Sequence, residues 1–69
     1  MKPQTDHVLT LLAWRGEQGL TPIQALEMAG CFRLAARVSE LRELGYEISS
    51  VRHRTAGGKV VARYVLHQS

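Results

Sequence analysis

Residues 21–45 read TPIQALEMAGCFRLAARVSELRELG, and the fold turns on how this stretch divides. Thr21 offers a capping hydroxyl. Pro22 takes the first helical position, where a missing N–H costs nothing, and Gln24 stands three residues after the cap. This combination predicts a sharply started helix through Ala25, Leu26 and Met28. Gly30 stops it after about eight residues, because glycine accepts the left-handed conformation that other residues resist. Another helix is predicted over about residues 32–44, where Leu34, Val38 and Leu41 recur at four and three, the spacing of one helical face, and Gly45 fills the C-terminal cap position.

Two helices separated only by Ala29-Gly30-Cys31 must turn tightly on one another, a helix-turn-helix, with the later helix in the recognition position. Upstream, Val8, Leu11, Leu12 and Arg15 recur at three and four, widened by Leu9 and Trp14, so a first amphipathic helix is expected over residues 5–16. Thr5 or Asp6 caps its start, and Gly16 or Gly19 ends it. Trp14 and Phe32 are assigned to the core, although Phe32 falls on the outward side of an ideal third helix, where it would instead serve a partner.

Downstream of Gly45 the apolar period changes from 3.6 to 2, and Gly57-Gly58 between two strand-like arms predicts a tight hairpin. With those glycines in the two central turn positions, Arg54 faces Val61, His53 faces Ala62, Arg52 faces Arg63 and Val51 faces Tyr64. One face then collects Arg52, Arg54, Lys59 and Arg63, and the other Val51, Val60, Ala62, Tyr64 and Leu66. Ile48 has the parity of the basic face yet the character of a core residue, which requires a bulge near Ser49-Ser50. Arg52 opposite Arg63 is repulsive unless an anion sits there. The class is α+β, three helices and then a hairpin, in one domain over residues 5–66 with loose ends at 1–4 and 67–69.

A chain of 69 residues holds at most one such domain, with a core too small to enclose a roomy active-site cleft. Charged residues at 22% and apolar residues at 45% argue against wholesale disorder. A single cysteine, Cys31, excludes an intrachain disulfide framework and suits a reducing, cytoplasmic setting. No apolar run is long enough to span a membrane and residues 1–8 lack the apolar stretch of a signal peptide, so neither spanning nor export is expected. The net charge of +3 is unevenly spread. Lys2 and Arg15 against Asp6, Glu17 and Glu27 leave residues 1–30 at −1, while seven cations against Glu40, Glu43 and Glu47 leave residues 31–69 at +4. Positive charge gathered in one half is the electrostatic footprint of a nucleic-acid binder.

The order of elements, with Leu34, Val38, Leu41, Gly45, Tyr46 and Ile48 running from the third helix into the sheet, resembles a winged helix-turn-helix domain. More closely, Thr21-Pro22, Ala25-Leu26, the run Gly30-Cys31-Phe32-Arg33-Leu34-Ala35-Ala36-Arg37, Leu41-Arg42, Gly45-Tyr46 and Ala62-Arg63-Tyr64 resemble a family of small helix-turn-helix proteins encoded by bacteriophages and bacterial mobile elements. The similarity extends over residues 5–66. What it implies is double-stranded DNA binding, usually in transcriptional control. The spacing departs from that of phage repressors, in which the turn glycine follows a small residue by four. Here Ala25 precedes Gly30 by five, so repressor contacts do not carry over residue by residue.

On the third helix, Arg33, Ala36, Arg37 and Glu40 are predicted to face the major groove. Either arginine can read guanine O6 and N7, Glu40 can accept from cytosine N4, and Ala36 can touch a thymine methyl. The bland alternative is a solvated face with an Arg37–Glu40 pair within the helix. Arg52, Arg54, Lys59 and Arg63 are predicted to meet phosphates or the minor groove as a wing. Cys31 reads as a small apolar filler, with a redox-sensing thiol at a helix start as its alternative. His7, His53, His67 and Cys31 lack the close spacing of a metal site. No nucleophile, phosphate-loop or zinc-protease motif occurs, so no enzyme, cofactor, metal or small-molecule substrate is expected. The partner is DNA, with a homodimer or a second protein as further possibilities. A competing reading makes the chain a protein-interaction module, an adaptor or inhibitor of a host machine, for which an exposed aromatic patch at Phe32 would speak.

Overall fold

A computed structural model describes residues 2–67 of the chain. Three helices, α1 (Pro3–Arg15), α2 (Pro22–Ala29) and α3 (Leu34–Glu43), precede an antiparallel hairpin of β1 (Ile48–Arg54) and β2 (Val60–Leu66), and a 3-10 turn at Gly16–Gln18 follows α1. Of the ends expected to be loose, Met1, Gln68 and Ser69 lie outside the described residues.

The Thr21 start forms as predicted. Gln24 N donates to Thr21 Oγ1 at 3.3 Å while Thr21 N donates to Gln24 Oε1 at 3.0 Å, so two otherwise orphaned donors satisfy one another's residues. Gly30 ends α2 in the left-handed conformation at φ 62°. At the end of α3, Gly45 N donates to Arg42 O and Tyr46 N to Leu41 O, the paired bonds of a glycine-terminated helix. α1 differs at its start: it begins at Pro3 with Lys2 as the cap residue, and neither Thr5 nor Asp6 caps it. Thr5 instead lies fully buried in the first turn.

Val8 and Leu12 of α1, Leu20, Ala25 of α2, Cys31 of the turn, Leu34, Val38 and Leu41 of α3, and Ile48 and Leu66 at the base of the hairpin form the core. Burying each of the larger side chains contributes roughly 1.5–3 kcal/mol, more than any single cap at about 1 kcal/mol, so the α3 stripe rather than its termini fixes that helix. Two assignments to the core are overturned. Trp14 is 71% exposed and Phe32 84% exposed. Trp14 follows Val8 by six residues and so sits about 120° around the helix from it. Phe32 precedes α3, which begins only at Leu34, and the inward place in the turn is taken by the buried Cys31.

The hairpin register differs from expectation by one residue. Its loop has three residues, Ala56-Gly57-Gly58, closed by Thr55 N donating to Lys59 O at 2.8 Å, with Gly58 N donating to Thr55 O at 2.9 Å and Gly58 at φ 85°. Only Gly58 of the two glycines has positive φ, as in a turn followed by one left-handed residue. The observed partners are Ile48 with Leu66, Ser50 with Tyr64, Val51 with Arg63, Arg52 with Ala62, His53 with Val61 and Arg54 with Val60. Because side chains alternate, a one-residue slip changes which residues share a face. Arg52 and Arg54 lie on the face of Val60, Ala62, Tyr64 and Leu66, whereas Arg63 lies on the other with Val51, His53, Val61 and Val65. The expected single basic face is therefore divided. Arg52 and Arg63 do not oppose one another, and Ile48 joins Leu66 on the core face without a bulge.

Leu20 adds a one-residue bridge to the sheet: its N–H donates to Tyr64 O at 2.8 Å and its carbonyl accepts from Tyr64 N at 2.9 Å. Since Tyr64 spends both backbone groups on Leu20, Ser50 opposite it must turn its own away from β2, and alternation extends this to Arg52 and Arg54. The approach of Leu20 depends on Gly19, at φ 73°, where a Cβ would lie 2.8 Å from Tyr64 O and 2.8 Å from Arg63 Cγ. Gly19→Ala is expected to destabilise the domain by roughly 2–5 kcal/mol through backbone strain and overlap, read as a large fall in the denaturant midpoint; a change within error would show that the bridge is dispensable.

Candidate nucleic-acid interface

Arg33 stands at the head of α3, exposed, with its carbonyl accepting from Ala36 N and Arg37 N and its side chain making no capping bond. The turn before it and the first half of α3 carry no carboxylate between Glu27 and Glu40. An exposed cation at this end of the helix is free to meet an acceptor. Ala36 is partly exposed on the next turn and leaves room for close approach.

Arg37 and Glu40 are placed differently from the predicted groove-reading pair. Arg37 Nη2 lies 2.6 Å from Glu40 Oε1, with the two side chains 17% and 31% exposed. Glu40 Oε2 accepts from Thr5 Oγ1 of α1 at 3.2 Å. Both carboxylate oxygens are thus engaged within the chain, as in the bland alternative, and the α3 flank bearing them packs toward α1. The exposed side is instead marked by Ala35, Ser39 and Glu43. Ser39 is an exposed serine in the middle of α3. With Arg33 and Ala36 it makes an i, i+3, i+6 row along α3, and its hydroxyl can both donate and accept. The distance of these residues from the Leu34–Val38–Leu41 stripe around the helix was the available signal. The lean of α3 against Thr5 was not.

The cations of the hairpin also separate by role. Arg52, Arg54 and Lys59 are exposed, whereas Arg63 is half-buried, its Nη1 donating to Gln18 O at 3.1 Å and its Nε buried without a hydrogen-bond partner. Two more arginines hold backbone carbonyls: Arg15 Nε donates to Gly19 O at 2.7 Å, and Arg42 donates through Nε and Nη2 to Ile48 O at 3.1 and 2.8 Å, its guanidinium 6.0 Å from the Tyr64 ring centre. Arg42 sets where the chain leaving α3 enters β1. Cys31 is buried in the turn. Among the described residues there is no cluster of three or more metal-binding side chains, and no helix is long and apolar enough to cross a membrane.

Helix, tight turn, exposed second helix and a cationic hairpin together define a winged helix-turn-helix. The family model of the winged helix-turn-helix domain matches residues 3–69, and the chain belongs to that family. No curated protein matches the chain, and no solved structure does. The fold is one that points to double-stranded DNA as the ligand and is typically non-enzymatic. Because Arg63 is tied to the turn after α1, Arg63→Ala is expected to lower stability by about 1–2 kcal/mol through the lost bond and stem packing, while leaving the salt slope of duplex binding unchanged. Thermal melts and a salt titration check this; a slope smaller in magnitude by about 0.9 would return Arg63 to the phosphate-contacting set.

Proposed function

We propose that the chain is a small transcriptional regulator of a phage or mobile element that binds specific double-stranded DNA sites. The observation that carries the reading is the set of exposed cations at both DNA-facing parts of the fold, Arg33 leading α3 and Arg52, Arg54 and Lys59 on the hairpin. In this reading α3 enters the major groove. Arg33 reads a guanine edge, Ala36 admits a thymine methyl, and Ser39 contacts a neighbouring base. Arg37 and Glu40 stand at the margin of this surface as a pair. The hairpin cations meet phosphate, adding affinity without sequence information. A single module buries roughly 600–1,000 Å² on DNA, so tight binding calls for a dimer or adjacent copies on the duplex. The chain acts as a binding module with no catalytic step, in the cytoplasm where its DNA is.

A second reading, an adaptor or inhibitor that occupies a protein partner, is favoured by one observation: Phe32 is 84% exposed immediately before Arg33. An aromatic anchor beside a cation suits a partner with an apolar pocket rimmed by acid. Selection from randomised duplexes at about 0.15 M salt distinguishes the readings, since an enriched motif supports DNA and its absence supports the protein partner.

Two substitutions then separate reading from positioning. Arg54→Ala is expected to weaken cognate and random duplexes alike and to reduce the magnitude of the salt slope by about 0.9. Arg33→Ala is expected to cost about 1–3 kcal/mol on the cognate site and much less on random DNA. Equal losses on both duplexes for both variants would remove α3 from base recognition.

A further inference from the structure

The Arg37–Glu40 pair is held more firmly than its spacing requires. An ion pair three residues apart on an exposed helix is weak because two long side chains must be ordered to make it. Here a third group has already ordered one of them: Thr5, fully buried on α1, donates to Glu40 Oε2 and leaves Oε1 aimed at Arg37 Nη2. Arg37 is held at a cost to itself, because its Nε is buried with no hydrogen-bond partner. An interior donor left unsatisfied is an unfavourable arrangement, and a freely hydrated arginine would avoid it.

The guanidinium has five donors. Nε is closed off by burial and one N–H of Nη2 is held by Glu40, so an incoming acceptor can address only the outer end of the fork. A phosphate passing at a distance competes poorly with a carboxylate already fixed at 2.6 Å.

Resting on the reading that α3 faces DNA, we propose that Glu40 is a positioning residue that withholds Arg37 from the phosphate backbone, so that the domain surrenders non-specific affinity and keeps discrimination. Arg33 is then the cation that α3 offers to any duplex. Arg37 joins only where an acceptor is presented to the outer end of its fork.

The test uses Glu40→Gln, which keeps the size, removes the charge and leaves one acceptor oxygen in place of two. Binding of the whole chain to a labelled random duplex is followed by fluorescence anisotropy between 50 and 200 mM salt. With Arg37 released to take one phosphate, the salt slope is expected to grow in magnitude by about 0.9, a loss of affinity about 3.5-fold steeper across that range, and low-salt affinity for random DNA to rise. The ratio of cognate to random affinity is expected to fall. In the double variant Arg37→Ala/Glu40→Gln the steeper slope is expected to vanish. A purely structural role for Glu40 would weaken binding and would not steepen the slope. If Glu40→Gln does not fold by circular dichroism, Thr5→Val, which removes one tether, is read by the same criteria. A slope unchanged by the variant, or a gain that persists without Arg37, overturns the proposal while leaving DNA binding intact. Absence of duplex binding by the wild type overturns the DNA reading and this proposal with it.

Discussion

Two backbone hydrogen bonds, Leu20 N to Tyr64 O and Tyr64 N to Leu20 O, fasten the chain between α1 and α2 onto the hairpin. A domain this small buries only about 60% of its unfolded surface, and an isolated two-stranded hairpin is marginal in water. The hairpin therefore needs anchorage from the helices. Ile48 and Leu66 supply it through the core, and Leu20 supplies it through the backbone, with Gly19 permitting the close approach. These contacts together aim the hairpin relative to α3. The seating of the hairpin on the helices thus depends in part on a single residue between helices that behaves as a strand.

The local chemistry of the helix-turn-helix was legible in the sequence, whereas the cap of α1, the hairpin loop length and the long-range packing were not. The Thr21 capping box, the Gly30 turn and the Gly45 termination all involve residues within a few positions of one another, and all three form as read. The hairpin was located correctly but its faces were not, because two adjacent glycines suit either a two-residue or a three-residue loop. One extra loop residue changes every cross-strand partner. The parity of Ile48 was the warning: the bulge it seemed to require is unnecessary once the loop has three residues. At the site, Arg33 is exposed as expected, and the Arg37–Glu40 pairing was open to the spacing rule. The bond from Thr5, 35 residues away, had no local signature.

The net positive charge of the second half overstates how many of its cations are at liberty. Arg42 and Arg63, with Arg15 of the first half, are fixed on the carbonyls of Ile48, Gln18 and Gly19. Each satisfies an acceptor where the chain changes direction, and long arginine stems cover apolar surface while doing so. Arg37 is committed to Glu40. Charge counting finds the basic half, but only the geometry sorts arginines that build the domain from those that face outward.

The outer edge of β1 has a consequence for the crowded protein rather than for a single molecule. Ser50, Arg52 and Arg54 direct their backbone donors and acceptors away from β2, and among the described residues no further strand pairs with them. Such an edge is a template on which like strands zip together into growing ribbons. Two copies meeting there would bring guanidinium groups against one another before the backbones could register. The same cations thus act as gatekeepers of solubility, and conditions that neutralise them, such as dense polyanion or high salt, remove the barrier to ribbon growth.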